Sequence, residues 1–382
     1  MLSSTAGAEY YEIIPSMYLT QEYNDNIFTT DNPISDFITT VGPDLAVLGM
    51  GERLDWNISG GLRFRKYAEN ELQDQQDWHV FGGLNYRPSE RSSMFTDASF
   101  IMDTRPDRIE DGFVTRGVDR ERYTFNIGGL HALSEVTSPF VNYRYIEEDF
   151  KFLPERNQRS NFVQLGINHH LDRFLPMTTV KVFVSYSHSD FATSDDDTAR
   201  FVVGLEKAWK EKWSVHANLG ARYTKSTFPT ALPNPTPPPD FVTGEGTSED
   251  VGPVTDLSLE YTGEYAQIRL TAFRDVIPAV GQGRSVEQVG LSGFFSRRFT
   301  EKISGRLNAS IQTQESFQDL NPAQAVDRLS IIIQPVIAYN INRQWSIDGH
   351  YRYYYLNDQE RSRVAVQNLI ALTLNFRYPI LK

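Results

Sequence analysis

The chain has 382 residues, a formal net charge of −12 and no cysteine. Without thiols it has no disulfide staple, no thiolate metal site and no covalently attached haem, and its acidic balance argues against nucleic acid as a partner. No run of about 18 apolar residues occurs, which excludes a membrane-spanning helix.

The first residues contain Ala6-Gly7-Ala8, the small-x-small step that ends a secretory signal. Residues 1–8 read as the remnant of a removed signal, and residues 9–382 as a single domain. From Tyr11 onward apolar residues recur at every second position. Leu54, Trp56, Ile58, Leu62 and Phe64 form one set, and Trp78, Val80, Leu84 and Tyr86 the next. Tyr123, Phe125 and Ile127 follow, then Val180, Val182, Val184 and Tyr186, then Trp213, Val215, Ala217, Leu219 and Tyr223. The clearest case is the last hairpin, from Trp345 to Tyr378. There Val364, Val366, Ile370, Leu372 and Leu374 alternate with Ala365, Gln367, Leu369, Ala371 and Thr373. A period of two means extended strands with one apolar and one polar face. Aromatics sit near both ends of the apolar face with aliphatics between them, the pattern of a lipid-facing strand between aromatic girdles.

The breaks between these segments alternate in kind. Short ones fall at 49–52, 88–91, 134–138, 172–176, 209–212, 263–264, 298–302 and 340–344. Longer, acidic or Pro/Gly-rich ones fall near 24–35, 68–76, 105–117, 150–158, 190–197, 228–252, 275–284, 316–326 and 357–362. Short turns on one side and long loops on the other predict an all-β fold: a transmembrane antiparallel up-and-down β-barrel of about 18 strands. The turns would face the periplasm and the loops the exterior, with both termini periplasmic. The longest loop, Phe228–Pro253, carries six prolines before Gly244-Glu245-Gly246; it reads as a mobile external loop, with an inward-folding lid as the alternative.

In such a barrel the polar face lines the lumen. The candidate pore-lining residues are Arg63, Arg65, Arg87, Arg122, Arg144, Lys181, Arg222, Arg269, Arg306 and Arg352, with Asp55, Asp97 and Asp348 among the acids. The net negative charge would then lie mainly in loops, at Glu69, Glu71, Glu147-Glu148-Asp149, Asp195-Asp196-Asp197 and Glu245 through Asp250. Two readings remain open: a cation-lined conduit for an anion, or mixed charges that hydrate and brace the wall. The inward aromatics Phe81, Phe95, Phe183 and Tyr354 either stack on sugar rings or fill space between charged neighbours.

Signals for chemistry are weak. His188-Ser189-Asp190 and His169-His170 put neighbours on opposite faces of a strand. Asp195-Asp196-Asp197 lacks the glycine and the spaced acids of a calcium loop. No catalytic constellation, metal or cofactor is expected.

The segment Pro15 to Phe28, PSMYLTQEYNDNIF, resembles the first strand and loop of the β-barrel porin 2 group of bacterial outer-membrane proteins. The turns at Lys212-Trp213-Ser214 and Gln344-Trp345-Ser346 are similar to that group as well. The resemblance implies an outer-membrane channel for exopolysaccharide secretion, working with periplasmic export machinery among outer-membrane lipid and lipopolysaccharide. A general or anion-preferring diffusion porin for small solutes is the first alternative. A barrel sheath around an electron-transfer cytochrome is the second. One departure from many outer-membrane barrels is the end of the chain, where Pro379-Ile380-Leu381-Lys382 follow Tyr378: either the last strand ends early or these residues are a short tail.

Overall fold

The computed structural model describes residues 10–104, 108–110, 113–115, 119–151, 153–192, 194–233, 241–279, 284–316, 326–360 and 362–381. β1 (Tyr10–Asn24), β2 (Asp36–Met50), β3 (Leu54–Tyr67), β4 (Gln75–Ser89) and β5 (Ser92–Asp103) lead to a small hairpin, β6 (Arg108–Glu110) and β7 (Phe113–Thr115). Next come β8 (Arg120–His131), β9 (Thr137–Phe150), β10 (Gln158–His170), β11 (Thr178–Phe191), β12 (Ser194–Trp209) and β13 (Trp213–Pro233). β14 (Phe241–Thr262), β15 (Ala266–Ala279), β16 (Arg284–Arg298), β17 (Ile303–Glu315), β18 (Asp327–Asn340), β19 (Trp345–Asp358) and β20 (Arg363–Arg377) complete the wall, and β21 is Ile380–Leu381.

Each wall strand pairs antiparallel with the next, β5 pairs with β8, and β20 returns to β1 from Ser16↔Arg377 to Asn24↔Leu369. With β6, β7 and β21 set aside, eighteen strands close into an antiparallel barrel. Closure gives every wall strand a partner on both sides, the condition for a sheet in lipid. The residues after Tyr378 are not a loose tail. Tyr378 N donates to Pro15 O at 3.0 Å, and Ile380 and Leu381 pair with Ile13 and Glu12 beyond the kink at Pro379.

The alternation read from the sequence is the facing of the barrel. On β20, Val364, Val366, Ile370 and Leu372 are exposed, while Ala365, Gln367, Leu369 and Ala371 between them are buried. Exposed apolar side chains on this scale mark the lipid face. Two aromatic girdles rim it. At the short-turn end Trp213 packs on Tyr261 at 4.9 Å and Trp345 on Phe376 at 4.8 Å. At the other end Tyr23 packs on Phe37 at 5.0 Å, and Phe100 lies between Trp78 at 4.3 Å and Tyr123 at 4.6 Å. Trp78 and Phe100 are diagonal neighbours and the other pairs are directly opposite, the cross-strand contacts that stabilise a sheet locally.

This facing gives a test. Leu372 is 58% exposed on the lipid side, whereas the next residue, Thr373, turns inward and bonds to Thr20. Leu372→Arg should impair assembly by about 2–4 kcal/mol, the cost of a cation on the lipid face near the midplane. Thr373→Arg should assemble nearly normally. Folded yield, read by heat-modifiable gel mobility, distinguishes the two.

Three expected loops are strand instead. Asp195, Asp196 and Asp197 lie inside β12, opposite Asp190, Ser189 and His188 on β11, so that connection is short. Glu147, Glu148 and Asp149 lie inside β9, opposite Tyr123, Arg122 and Glu121. Within 228–252, Phe228 through Pro233 pair with Gly246 back to Phe241, so most of the expected mobile loop is a β-hairpin; its connecting residues 234–240 lie outside the described residues. β13 and β14 thereby reach 21 and 22 residues. The physical reason is common to all three. A strand that rises beyond the lipid has no apolar face to show, so backbone pairing continues through acidic or proline-containing sequence that looks like loop. The 105–117 break likewise contains the small hairpin β6–β7.

Candidate permeation pathway

Along each strand the inward-facing side chains change character from one end of the barrel to the other. On β20, Ala365, Gln367, Leu369 and Ala371 have at most 3% exposure, Thr373 and Asn375 are half-buried, and Arg377 is exposed. The buried positions lie toward the long connections and the exposed one toward the short turns. Other strands repeat this gradient: Asn24, Arg65, Asp77, Arg120, Glu148, Arg222, Gln314, Arg328 and Asp358 are all buried near the same end. The inward side chains are therefore solvent-accessible at the short-turn end and packed against one another at the other.

Among the described residues three inward-lying pieces narrow the lumen there. The connection after β1 turns back through Asn24-Asp25-Asn26, where Asn24 Oδ1 accepts from Asn26 N at 3.0 Å. Asn26 Nδ2 donates to Val366 O, and Gln367 Nε2 donates to Asn26 O, fastening this turn to β20. Ile27 is thereby buried against Ile38 and Tyr67. The second piece is the outer part of β15 and β16. Arg200 on β12 donates through Nε to both Asp275 carboxylate oxygens at 3.1 Å and through Nη2 to Val276 O at 2.9 Å. Asp196 on β12 accepts from Ser285 N at 3.0 Å. Since Arg200 and Asp196 lie on the inward face of β12, the β15–β16 hairpin crosses the inner surface of the wall instead of standing above it. Arg222 Nη2 bonds Glu287 Oε1 at 3.1 Å and also pairs with Asp250, while Arg274 Nε reaches Glu287 at 2.7 Å. The third piece is Val326, buried against Ala279 and Val286 of that hairpin.

The candidate lining residues fall into two groups. Arg65, Arg122 and Arg222 belong to the packed end. Arg65 pairs with Asp77 at 3.2 Å, and Arg122 shares Glu148 with Arg120, at 3.4 and 2.9 Å. Arg352 donates to Gln367 Oε1 at 2.8 Å. Arg87, Lys181 and Arg269 lie in the solvent-accessible part and pair with Asp55, Glu206 and Glu260. Asp97 accepts from Asn126 and Asp348 from Asn375. Arg63 stands among Tyr18, Asp44 and His79, while Arg144 and Arg306 are exposed on inward positions. So the expected excess of free cations is largely neutralised by neighbours on adjacent strands. Sequence reasoning passed over Arg120, Arg200, Arg328, Glu148, Glu287 and Asp358, which carry the packed end. For all but Glu287 the signal was strand parity, since each continues the polar face of its strand; Glu287 shares the parity of the lipid-facing Val289 and Leu291 and gave no such signal.

Of the inward aromatics, Tyr354 is fully buried with Leu356 and Ala365 and fills space. Phe95 lies over Gly128, and Phe183 with Phe140 crowds Gly166; a β-carbon at Gly128 would sit 2.6 Å from the Phe95 ring. Phe81 faces Ser99 across the β4–β5 ladder. Among the described residues no group of His, Asp and Glu is placed to hold a metal ion.

No protein-family model matches the sequence, and no curated protein matches it either. Solved barrels do match. OccAB4 of Acinetobacter baumannii superposes with a TM-score of 0.50 at 10% identity, covering 99% of this chain and 100% of that one. OccK8 (OprE) of Pseudomonas aeruginosa gives 0.51 at 9%, over 98% and 100%. OccAB1 of Acinetobacter baumannii gives 0.50 at 11%, over 99% and 100%. The fold is that of an outer-membrane β-barrel. At such identities the likeness is one of architecture.

Proposed function

We propose that the chain is an outer-membrane diffusion channel for small polar solutes. The observation that carries this is the gradient of inward burial: a solvent-accessible polar vestibule leads to a charged, side-chain-packed constriction at the long-connection end. Such a lumen admits small molecules singly and offers both signs of charge to them. The exopolysaccharide passage implied by the sequence resemblance has less support, because a polymer needs a bore that is open along its whole length. Purified protein in planar bilayers should give small, discrete conductance steps. Absence of any ion conductance would overturn the reading, and loss of surface polysaccharide on gene deletion would favour export instead.

In this reading the short turns and both termini face the periplasm. The native chain has no cysteine, so single cysteines report topology cleanly. Leu72, in the connection between β3 and β4, is 98% exposed, and Phe174, in the turn between β10 and β11, is 78% exposed. A membrane-impermeant maleimide on intact cells should label Leu72→Cys and spare Phe174→Cys. The reverse pattern would invert the barrel.

A further inference from the structure

The wall is not equally sealed at every strand pair. The β14–β15 ladder runs only from Thr262↔Gln267 to Thr255↔Arg274. Beyond that point β14 continues through Val254 to Phe241 paired with β13 alone, while β15 turns inward with β16 toward Arg200 and Asp196 of β12. Two residues mark the parting. Pro253 has no N–H to donate, and Gly252 leaves room for the Arg222 side chain, whose Nη2 would lie 2.6 Å from a β-carbon there. Tyr223, 41% exposed on the lipid side of β13, pairs with Val251 of β14 beside the parting, which puts the parting toward the long-connection end of the lipid face.

An open sheet edge facing hydrocarbon leaves backbone groups unpaired, at several kcal/mol each, so a parting at this depth needs a polar filling. It has one. Glu287 accepts from Arg222, an inward residue of β13, and from Arg274, which is largely exposed. The trio runs from the inward face of β13 to Arg274, which shares the lipid-side parity of Leu270 on β15. Immediately beside it on the lipid face is an apolar trough, with Ala199 and Ala221 as its floor and Tyr186, Phe201, Tyr223 and Val251 around it. Val251, at the edge of the parting, is 73% exposed.

We infer that the β14–β15 seam is a lateral portal through which a single-chain amphiphile passes between the outer leaflet and the lumen. The trough seats the acyl chain and the Arg222–Glu287–Arg274 trio receives the polar head. The juxtaposition of an apolar groove with a charge cluster that runs from the inward face to Arg274 matches that shape and no purely polar solute. The inference needs only the barrel's place in the membrane, so it does not stand or fall with solute diffusion through the constriction.

The test uses the full chain in phosphatidylcholine liposomes containing doxyl-stearate, with bimane attached to single cysteines. Val254→Cys reports the lumen side of the seam, Ser310→Cys a lumen position away from it, and Leu291→Cys the lipid face. Bimane at 254 should be quenched at least half as strongly as at 291, with 310 unquenched. Adding Ala221→Trp, which fills the trough, should lower quenching at 254 and leave 291 unchanged. No quenching at 254, or equal quenching at 254 and 310, would overturn the portal. Heat-modifiable gel mobility confirms that each variant is folded, and conductance measured in parallel reports the diffusion reading separately.

Discussion

Glu148→Ala is expected to destabilise the barrel by about 3–5 kcal/mol, the usual result of stripping one partner from a buried ion pair. Glu148 is fully buried and among the described residues holds Arg120 at 2.9 Å, Arg122 at 3.4 Å and the side-chain amide of Gln158. Arg120 is itself 1% exposed, with Asp103 at 3.7 Å as a distant second partner. Without Glu148 the Arg120 guanidinium stays desolvated and loses its 2.9 Å carboxylate partner. The double variant Arg120→Met/Glu148→Leu removes both charges and should recover most of the loss, since apolar replacement of a buried pair is often neutral. Thermal unfolding in detergent, followed by circular dichroism, measures both. A Glu148→Ala barrel as stable as the parent would mean that water reaches the packed end freely.

The second large effect concerns the inward hairpin. Arg200 and Arg222 are its tethers to the inner face of the nearby strands β12 and β13, through Asp275, Val276 O and Glu287. Arg200→Ala/Arg222→Ala should free the β15–β16 tip and raise single-channel conductance several-fold. The native channel should move the same way as salt rises, because the tethering pairs that solvent reaches are screened. Asp275, with its side chain 32% exposed, is the one that salt reaches most easily. Conductance unchanged in the double variant would place the constriction elsewhere, at the Asn24–Asn26 turn or the Arg120–Glu148 cluster.

Much of this architecture was legible in the chain. Val364 through Phe376 show the lipid face by alternation alone, because only side chains on that face must be apolar. The alternating short and long breaks yield the strand number, because every second connection must return through the same rim. What stayed hidden depends on pairing across distance. Asp275 looks like the start of an external loop until Arg200, on another strand, is brought beside it. Arg65, Arg122 and Arg222 look like free lumen cations until Asp77, Glu148 and Asp250 arrive from neighbouring strands. Pro253 reads as the edge of a long loop, whereas in the fold it stands where one ladder ends and another continues. The Asn24-Asp25-Asn26 step was visible as a motif, but its bond to Val366 and Gln367 lies at the far end of the chain.

That last bond, with the ladder from Asn24↔Leu369 to Ser16↔Arg377, has a kinetic meaning. Every other seam of the wall joins strands that are neighbours in sequence and can zip as they emerge. The closing seam joins the first strand to the last, the most non-local pairing the chain contains, and non-local pairings form slowly. Until it forms, the sheet has two raw edges, each a template for a stranger's strand. Ile380 and Leu381 lengthen the contact on the final strand, and the Asn26 turn clasps it from the other side. Both devices act only at the instant of closure, which makes the completed ring hard to reopen and leaves the unfinished one as the form most exposed to aggregation and to proteases.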